Sequence, residues 1–217
     1  MIGKPLMLKT DLALSPSVVS GYSSLQQTLH TLLESNQFGS TLYKTLAGGP
    51  KLCWFIPFDG VIDAAQFPNP FDSARATLAN GFADVTRTVQ DTVQHVSSQV
   101  LVLDKAASHG EPAAPTFLYE TRLAFAPAGA FHLHEAALTE RFAAVFGGQQ
   151  SNGLAGYAYK TLISPVFDWY VAFENLADLD AALRELHQML AEATQLRDFF
   201  STVTSIESCI LKKVIEK

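Results

Sequence analysis

Cysteine is scarce in this chain: Cys53 and Cys209 are the only two in 217 residues, and neither has a neighbour at Cys-x-x-Cys spacing. That argues against a disulfide scaffold and against a thiolate-ligated metal, and two buried free thiols are expected instead. Charge is also thin, at 17% of residues, and its balance is acidic, with 15 Lys and Arg against 21 Asp and Glu for a net charge of −6. The basic residues are scattered, so the footprint of a nucleic-acid binder is missing and an anionic membrane surface is disfavoured as a partner. Long apolar runs are lacking as well. Nothing approaches the roughly 20 apolar residues of a spanning helix, and the opening stretch is interrupted by Lys4, Pro5 and Lys9, too short for a signal peptide. A soluble, cytoplasmic protein is the expectation. Catalytic fingerprints are absent too: there is no Gly-x-Gly-x-x-Gly after a strand, no phosphate loop, no Gly-x-Ser-x-Gly and no His-Glu-x-x-His. The glycine-rich stretch Gly147 to Gly153 ends a helix and enters a strand, the reverse of a phosphate cradle.

What is present is a repeat. Tyr43-Lys44-Thr45-Leu46 returns as Tyr159-Lys160-Thr161-Leu162, and Trp54-Phe55 follows the first copy nearly as Trp169-Tyr170 follows the second. Upstream, Thr10-Asp11-Leu12-Ala13 matches Thr121-Arg122-Leu123-Ala124, with Pro16 and Pro127 at the same offset. An internal duplication of two units, each about half the chain, follows. At 48% hydrophobic residues the composition supports a full core.

Each unit reads the same way. Leu6, Leu8, Leu12 and Leu14 alternate along a strand over residues 5 to 14, and Val18, Tyr22, Leu25, Leu29 and Leu32 recur at helical spacing over 17 to 35. A second strand from Gly39 to Leu46, the Gly48-Gly49-Pro50 turn and a third strand from Lys51 to Phe58 make a hairpin. Asp72 is a plausible cap for a long helical stretch to about Val96, and Val100 to Leu103 is a short closing strand. The order repeats as a strand at 116 to 125, a helix at about 130 to 146, a hairpin at 154 to 174, a helix at about 178 to 194 and a strand at about 207 to 213. Strand, helix, strand, strand, helix, strand is the ferredoxin-like βαββαβ unit, an α+β class. The first repeat is assigned to 1–103, a small and Pro-containing linker to 104–115 and the second repeat to 116–217. Each antiparallel sheet has one face covered by its own helices, so the two bare faces are expected to meet in a pseudo-dimeric α/β barrel. A monomer can close that barrel alone, with further oligomerisation left open.

The segment Asp168-Trp169-Tyr170-Val171-Ala172-Phe173-Glu174-Asn175-Leu176 and onward to Leu183 resembles the third strand and second helix of the dimeric α/β-barrel superfamily. Arg122 to Pro127 followed by Gly129 is similar to the strand that ends in Pro-Gly before the first helix there. The pattern resembles NIPSNAP-like and antibiotic-biosynthesis-monooxygenase-like domains in particular. The resemblance implies a barrel with a small-molecule pocket, and, since members of this superfamily bind haem through histidine, it raises haem as an alternative.

Chemistry is expected where the halves differ. With Leu6, Leu8, Thr10 and Leu12 facing helices, Lys9 and Asp11 face the other way, and Glu120 and Arg122 hold the same two positions in the second copy with signs exchanged. These four either pair as salt bridges across the pseudo-twofold or orient a polar ligand. Tyr157, Tyr159, Trp169 and Tyr170 suit a pocket for a flat organic molecule, with the inward row of the hairpin left unassigned. Asp168 and Tyr170 stand where the first copy has Cys53 and Phe55, so one working site is expected, not two. His132 and His134 are two apart, which on a helix cannot chelate one ion together, and no third ligand is visible, so no metal site is assigned. No cofactor is expected on the residues alone.

Three functions are compatible with these residues. One is a cofactor-independent oxygenase or isomerase acting on an aromatic or polyketide-like substrate. There Asp168 or His134 moves a proton, Arg122 steadies an oxyanion, and Tyr157, Tyr159, Trp169, Tyr170 and Glu120 contact the substrate. The second is a haem- or other ligand-binding protein, and the third a non-catalytic barrel filled by its own side chains. Whether it is an enzyme is open at this stage.

Overall fold

The structure is a computed structural model that describes residues 1–15, 25, 27–30, 39–47, 50–65, 82–126, 135–137, 139–140, 154–162, 164, 166–181, 183–184 and 201–216. Eight strands and two bounded helices follow one another as β1 (Leu6–Leu14), β2 (Thr41–Ala47), β3 (Lys51–Phe58), α1 (Val61–Ala65), α2 (Phe82–Thr92), β4 (Val93–Leu103), β5 (Phe117–Phe125), β6 (Ala155–Thr161), β7 (Val166–Phe173) and β8 (Val203–Glu216). Further helical residues stand at 25 and 27–30, at 135–137 and 139–140, and at 176–181 and 183–184.

The strands close into a barrel in the order β1-β3-β2-β8-β5-β7-β6-β4, every pair antiparallel. Within that ring, β4-β1-β3-β2 and β8-β5-β7-β6 are two ferredoxin-like sheets of the same strand order. They join edge to edge through β2 with β8 and β4 with β6, so no edge strand is left unpaired. The register bears out the duplication residue by residue. Lys9 faces Phe55 as Glu120 faces Tyr170, Asp11 faces Cys53 as Arg122 faces Asp168, and Tyr43 faces Cys53 as Tyr159 faces Asp168.

Alternation sorts each strand into two rows. Leu6, Leu12, Leu14, Leu42, Leu52, Trp54, Ile56 and Phe58 pack on the outside of the first sheet with Leu25, Leu29 and, from α2, Val89. Met7, Tyr43, Cys53, Phe55, Leu101, Leu118, Tyr157, Tyr159, Tyr170, Ala172 and Leu211 turn inward and fill the barrel. Tyr43 and Tyr170 each meet the Phe55 ring edge-on, with centroids 5.5 and 5.7 Å apart.

Two strands are longer than their sequence pattern predicts. β4 begins at Val93, not near Val100, so the helix before it stops at Thr92. Its first half carries exposed residues from Gln94 to Ser98, which give no apolar alternation to read. β8 likewise runs from Val203 to Glu216 where 207 to 213 is predicted. The extra residues at the start of both strands pair with the central strands β1 and β5, and those at the end of β8 pair with β2.

One end of the barrel is closed by chain. Residues 1–4 and 104–115 cross it, bridged to each other at Ile2 and Ala113 and to β6 at His109 and Gly156. Three inward tyrosines bind this cover through their hydroxyls. Tyr43 donates to the Pro115 carbonyl at 3.0 Å, Tyr157 to that of Glu111 at 2.5 Å and Tyr159 to that of Lys4 at 3.1 Å, while the Gly3 amide donates to the Tyr159 oxygen at 2.8 Å. Gly3 has a positive φ of 91° and Gly110 one of 122°, and a Cβ on Gly110 would lie 2.5 Å from that of Ala155.

Candidate ligand cleft and its ion network

Above the tyrosine layer the barrel interior holds charge. From β1 come Lys9 and Asp11, from β3 Lys51, from β5 Glu120 and Arg122, and from β7 Asp168: three cations and three anions on inward rows. Lys9, Glu120 and Asp168 are within 3% of full burial. Isolated charges there would cost several kcal/mol each, so their mutual pairing is what permits them.

Glu120 is the hub. The Lys9 ammonium bonds its Oε1, which also accepts from the Tyr170 hydroxyl at 3.1 Å. Its Oε2 accepts from the Cys209 thiol at 3.3 Å and lies 3.5 Å from Lys51 Nζ. Burial alone would raise this carboxyl, but Lys9, Lys51 and Arg122 overcome it and hold Glu120 well below the usual carboxylate range. Burial would lower the Lys9 ammonium, yet Glu120, Asp168 and Asp11 raise it well above its ordinary value. Lys51 is raised in the same way, against its own burial, chiefly by Glu120. All three stay charged at neutral pH.

Arg122 is clamped side-on by Asp168, with Nε donating at 2.8 Å and Nη2 at 3.1 Å, and Gln99 Nε2 donates to the same carboxylate at 3.1 Å. Such two-point pairing fixes the plane of the guanidinium. Burial keeps the Asp168 carboxyl above the ordinary aspartate value despite Lys9 and Arg122, and Arg122 itself is raised by Asp168 and Glu120 over the opposing effect of burial. The remaining nitrogen, Nη1, has Asp11 Oδ2 at 3.7 Å, beyond hydrogen-bond reach, and Asp11 Oδ1 is buried without a hydrogen-bond partner.

This network forms the floor of a cleft of about 480 Å³ at the barrel end opposite the tyrosine cover. Ala13, Leu14 and Pro50 supply apolar walls, while Lys51, Glu120, Arg122, Glu207 and Cys209 supply polar groups, with Thr45, Gln94 and Ser208. That volume lies in the range of about 300–1,000 Å³ usual for small-molecule sites. The Cys209 thiol is pushed up to about 12 by burial and by Glu120, and Cys53 well up by burial, so both are neutral thiols.

The structure brings Glu120, Arg122, Asp168 and Tyr170 together, with Glu120 and Arg122 lining the cleft and Asp168 and Tyr170 behind them. Tyr157 and Tyr159 sit at the other end, holding the cover. Trp169 is on the opposite row of β7 from Asp168 and Tyr170, turned away from the barrel interior. His134 and His132 lie outside the described residues. The cleft is bounded by the β2–β3 hairpin of the first half, and no residue of β6 or β7 lines it. Lys51, Gln99, Glu207 and Cys209 escaped the sequence reading. Finding them requires the strand register, which puts Lys51 and Gln99 beside the inward β1 row, and Cys209 and Glu207 opposite Glu120 and Arg122.

Haem, raised by the superfamily resemblance, finds no axial ligand among the described residues that line this cleft. Among the described residues that line it there is no histidine, and the one sulfur among them, Cys209, is a thiol engaged with Glu120 and not a thiolate. Among the described residues no cluster of three His, Cys, Asp or Glu could hold a metal ion, and no helix is long and apolar enough to cross a membrane.

Two ferredoxin-like sheets closing one barrel define the dimeric α/β-barrel fold, here with both sheets in a single chain. Solved structures bear this out over the whole length. A protein designated a monooxygenase from Fusobacterium nucleatum superposes with a TM-score of 0.64 at 10% identity, covering 100% of this chain and 95% of that one. An anthrone oxidase-like protein gives 0.62 at 12%, covering 100% and 94%. A chlorite dismutase from Candidatus Nitrospira defluvii gives 0.57 at 12%, covering 98% and 92%. At such identities the likeness is one of fold. No family model and no curated protein matches the sequence.

Proposed function

We propose that this protein binds a small, flat, enolisable or anionic organic molecule of aromatic or polyketide-like type at the open barrel mouth, and acts on it as a cofactor-independent oxygenase or isomerase. One observation carries the reading: Arg122, clamped by an Asp168 carboxylate that Gln99 also holds, lines together with Lys51 a cleft of small-molecule size. Pre-positioned cations in a low-dielectric wall are suited to a phenolate or enolate oxygen, whose charge grows as a proton leaves carbon. Ala13, Leu14 and Pro50 offer the apolar surface for the rest of the molecule. The monooxygenase and anthrone oxidase-like names among the fold neighbours agree with that substrate class. A monomer with its internal pseudo-dimer is the proposed functional unit.

The test is binding of a dihydroxyanthrone followed by intrinsic fluorescence and calorimetry. Saturable binding that weakens about tenfold or more in Lys51→Gln, with an unchanged circular dichroism spectrum, is the expected result; a loss of about 1.4 kcal/mol corresponds to that factor. A second reading, a non-catalytic barrel, is favoured by the side chains that fill the interior below the ion network. Absence of saturable binding by the wild-type protein would decide for it.

A further inference from the structure

Five titratable side chains line the cleft: Lys51, Glu120, Arg122, Glu207 and Cys209. Four are committed. Lys51 and Arg122 are cations, Glu120 is bonded by Lys9, Tyr170 and Cys209, and the Cys209 hydrogen is given to Glu120. Asp11 and Asp168, the other network carboxylates, lie within 4 Å of cations and do not line the cleft.

Glu207 differs from all of these. It stands on β8 directly opposite Arg122 of β5, on the same inward row as Cys209, and its side chain is exposed to the cleft. Among the described residues it makes no hydrogen bond or ion pair. Its counterpart in the first half, by the register of β4 on β1, is Ser97, so the carboxylate occurs in one half only.

Resting on the ligand reading above, we propose that Glu207 is the catalytic base of this cleft, removing a proton from a carbon conjugated with the substrate's carbonyl, directly or through an aromatic ring. The C–H bond breaks, its electron pair moves into the carbonyl to give an enolate oxygen facing Arg122 Nη1 and Lys51 Nζ, and the proton goes to a Glu207 carboxylate oxygen. Returning the proton to another carbon of the same enolate completes an isomerisation with no further reactant. The division of labour is chemically consistent: a base must be accessible and unpaired, whereas the groups that stabilise the oxyanion must be held rigid. The pinned carboxylates Glu120 and Asp168 then position the cations and take no proton from substrate.

The experiment uses a dihydroxyanthrone deuterated at its methylene carbon, incubated with the full-length protein in oxygen-free ordinary water. Loss of deuterium is followed by proton NMR, with binding measured in parallel by fluorescence. Wild type is expected to accelerate exchange, and Glu207→Gln to bind within about twofold of wild type while exchanging about 100-fold more slowly, the scale of general-base catalysis. Glu207→Asp should recover part of the rate. Wild-type binding without accelerated exchange, or a Glu207→Gln protein that exchanges at the wild-type rate, overturns the role of Glu207 and leaves the binding reading standing. Failure of wild type to bind the probe overturns both.

Discussion

At the scale of single residues, the ion network sets what each substitution does. Lys9→Met leaves Glu120 buried with its closest cation gone, and such a loss costs about 3–5 kcal/mol. Pairing it with Glu120→Gln removes the stranded charge while keeping an amide for Tyr170 and Cys209, so the double variant should be more stable than Lys9→Met alone, as read by urea denaturation. The pH response has a definite sign. Glu120 is held below its ordinary value of 4.5, so the unfolded chain binds the extra proton first. Its contribution is therefore present above about pH 4.5 and lost as pH falls toward the folded-state value. Glu120→Gln should show a shallower acid limb of stability than wild type in denaturation midpoints measured from neutral pH downward. The exchanged signs of Lys9 and Glu120, and of Asp11 and Arg122, were legible in the sequence because strand alternation puts them on one row. Their partners Lys51, Gln99, Cys209 and Glu207 were not, because membership of a site built across strands depends on register, which no local pattern encodes.

At the scale of elements, the first strand of each half and the two hairpins could be read from alternation, since half of each strand faces an apolar helix layer. The beginnings of β4 and β8 could not, because their residues form no apolar alternation. The role of the tyrosines is the other difference. An aromatic with a polar tip suits a ligand pocket or a tether equally well, and in the folded chain Tyr159 tethers residues 3 and 4 and Tyr157 tethers Glu111 where the chain crosses the barrel end. That cover depends on Gly110, whose φ of 122° and contact with Ala155 exclude a side chain. Gly110→Ala should lower the melting temperature through about 1–3 kcal/mol of backbone strain plus the clash, measured by calorimetry. Tyr43→Phe, which strands the buried Pro115 carbonyl, should cost about 1–3 kcal/mol in the same measurement.

At the scale of the whole molecule, two seams of unequal length hold the halves together. β2 and β8 pair from Thr41 to Ala47, whereas β4 and β6 pair only at Leu101 to Leu103 against Thr161 to Tyr159. Opening should start at the shorter seam, so native-state amide hydrogen exchange is expected to be faster at β6 than at β2. Complementary charge across the closed barrel then acts as a register key, because Lys9 of one sheet finds Glu120 of the other where two identical sheets would set like charges together.

The longer seam also has a consequence for birth of the molecule on the ribosome. β8 is the latest of the eight strands in chain order, yet it bridges β2 and β5 and so completes both. Until it emerges, the outer edge of β2 is an open template beside a sheet that has otherwise been synthesised, and such edges recruit other chains. Nascent chains of this protein therefore stay open to mispairing until β8 has been made, and pairing of β8 with both β2 and β5 then seals the barrel.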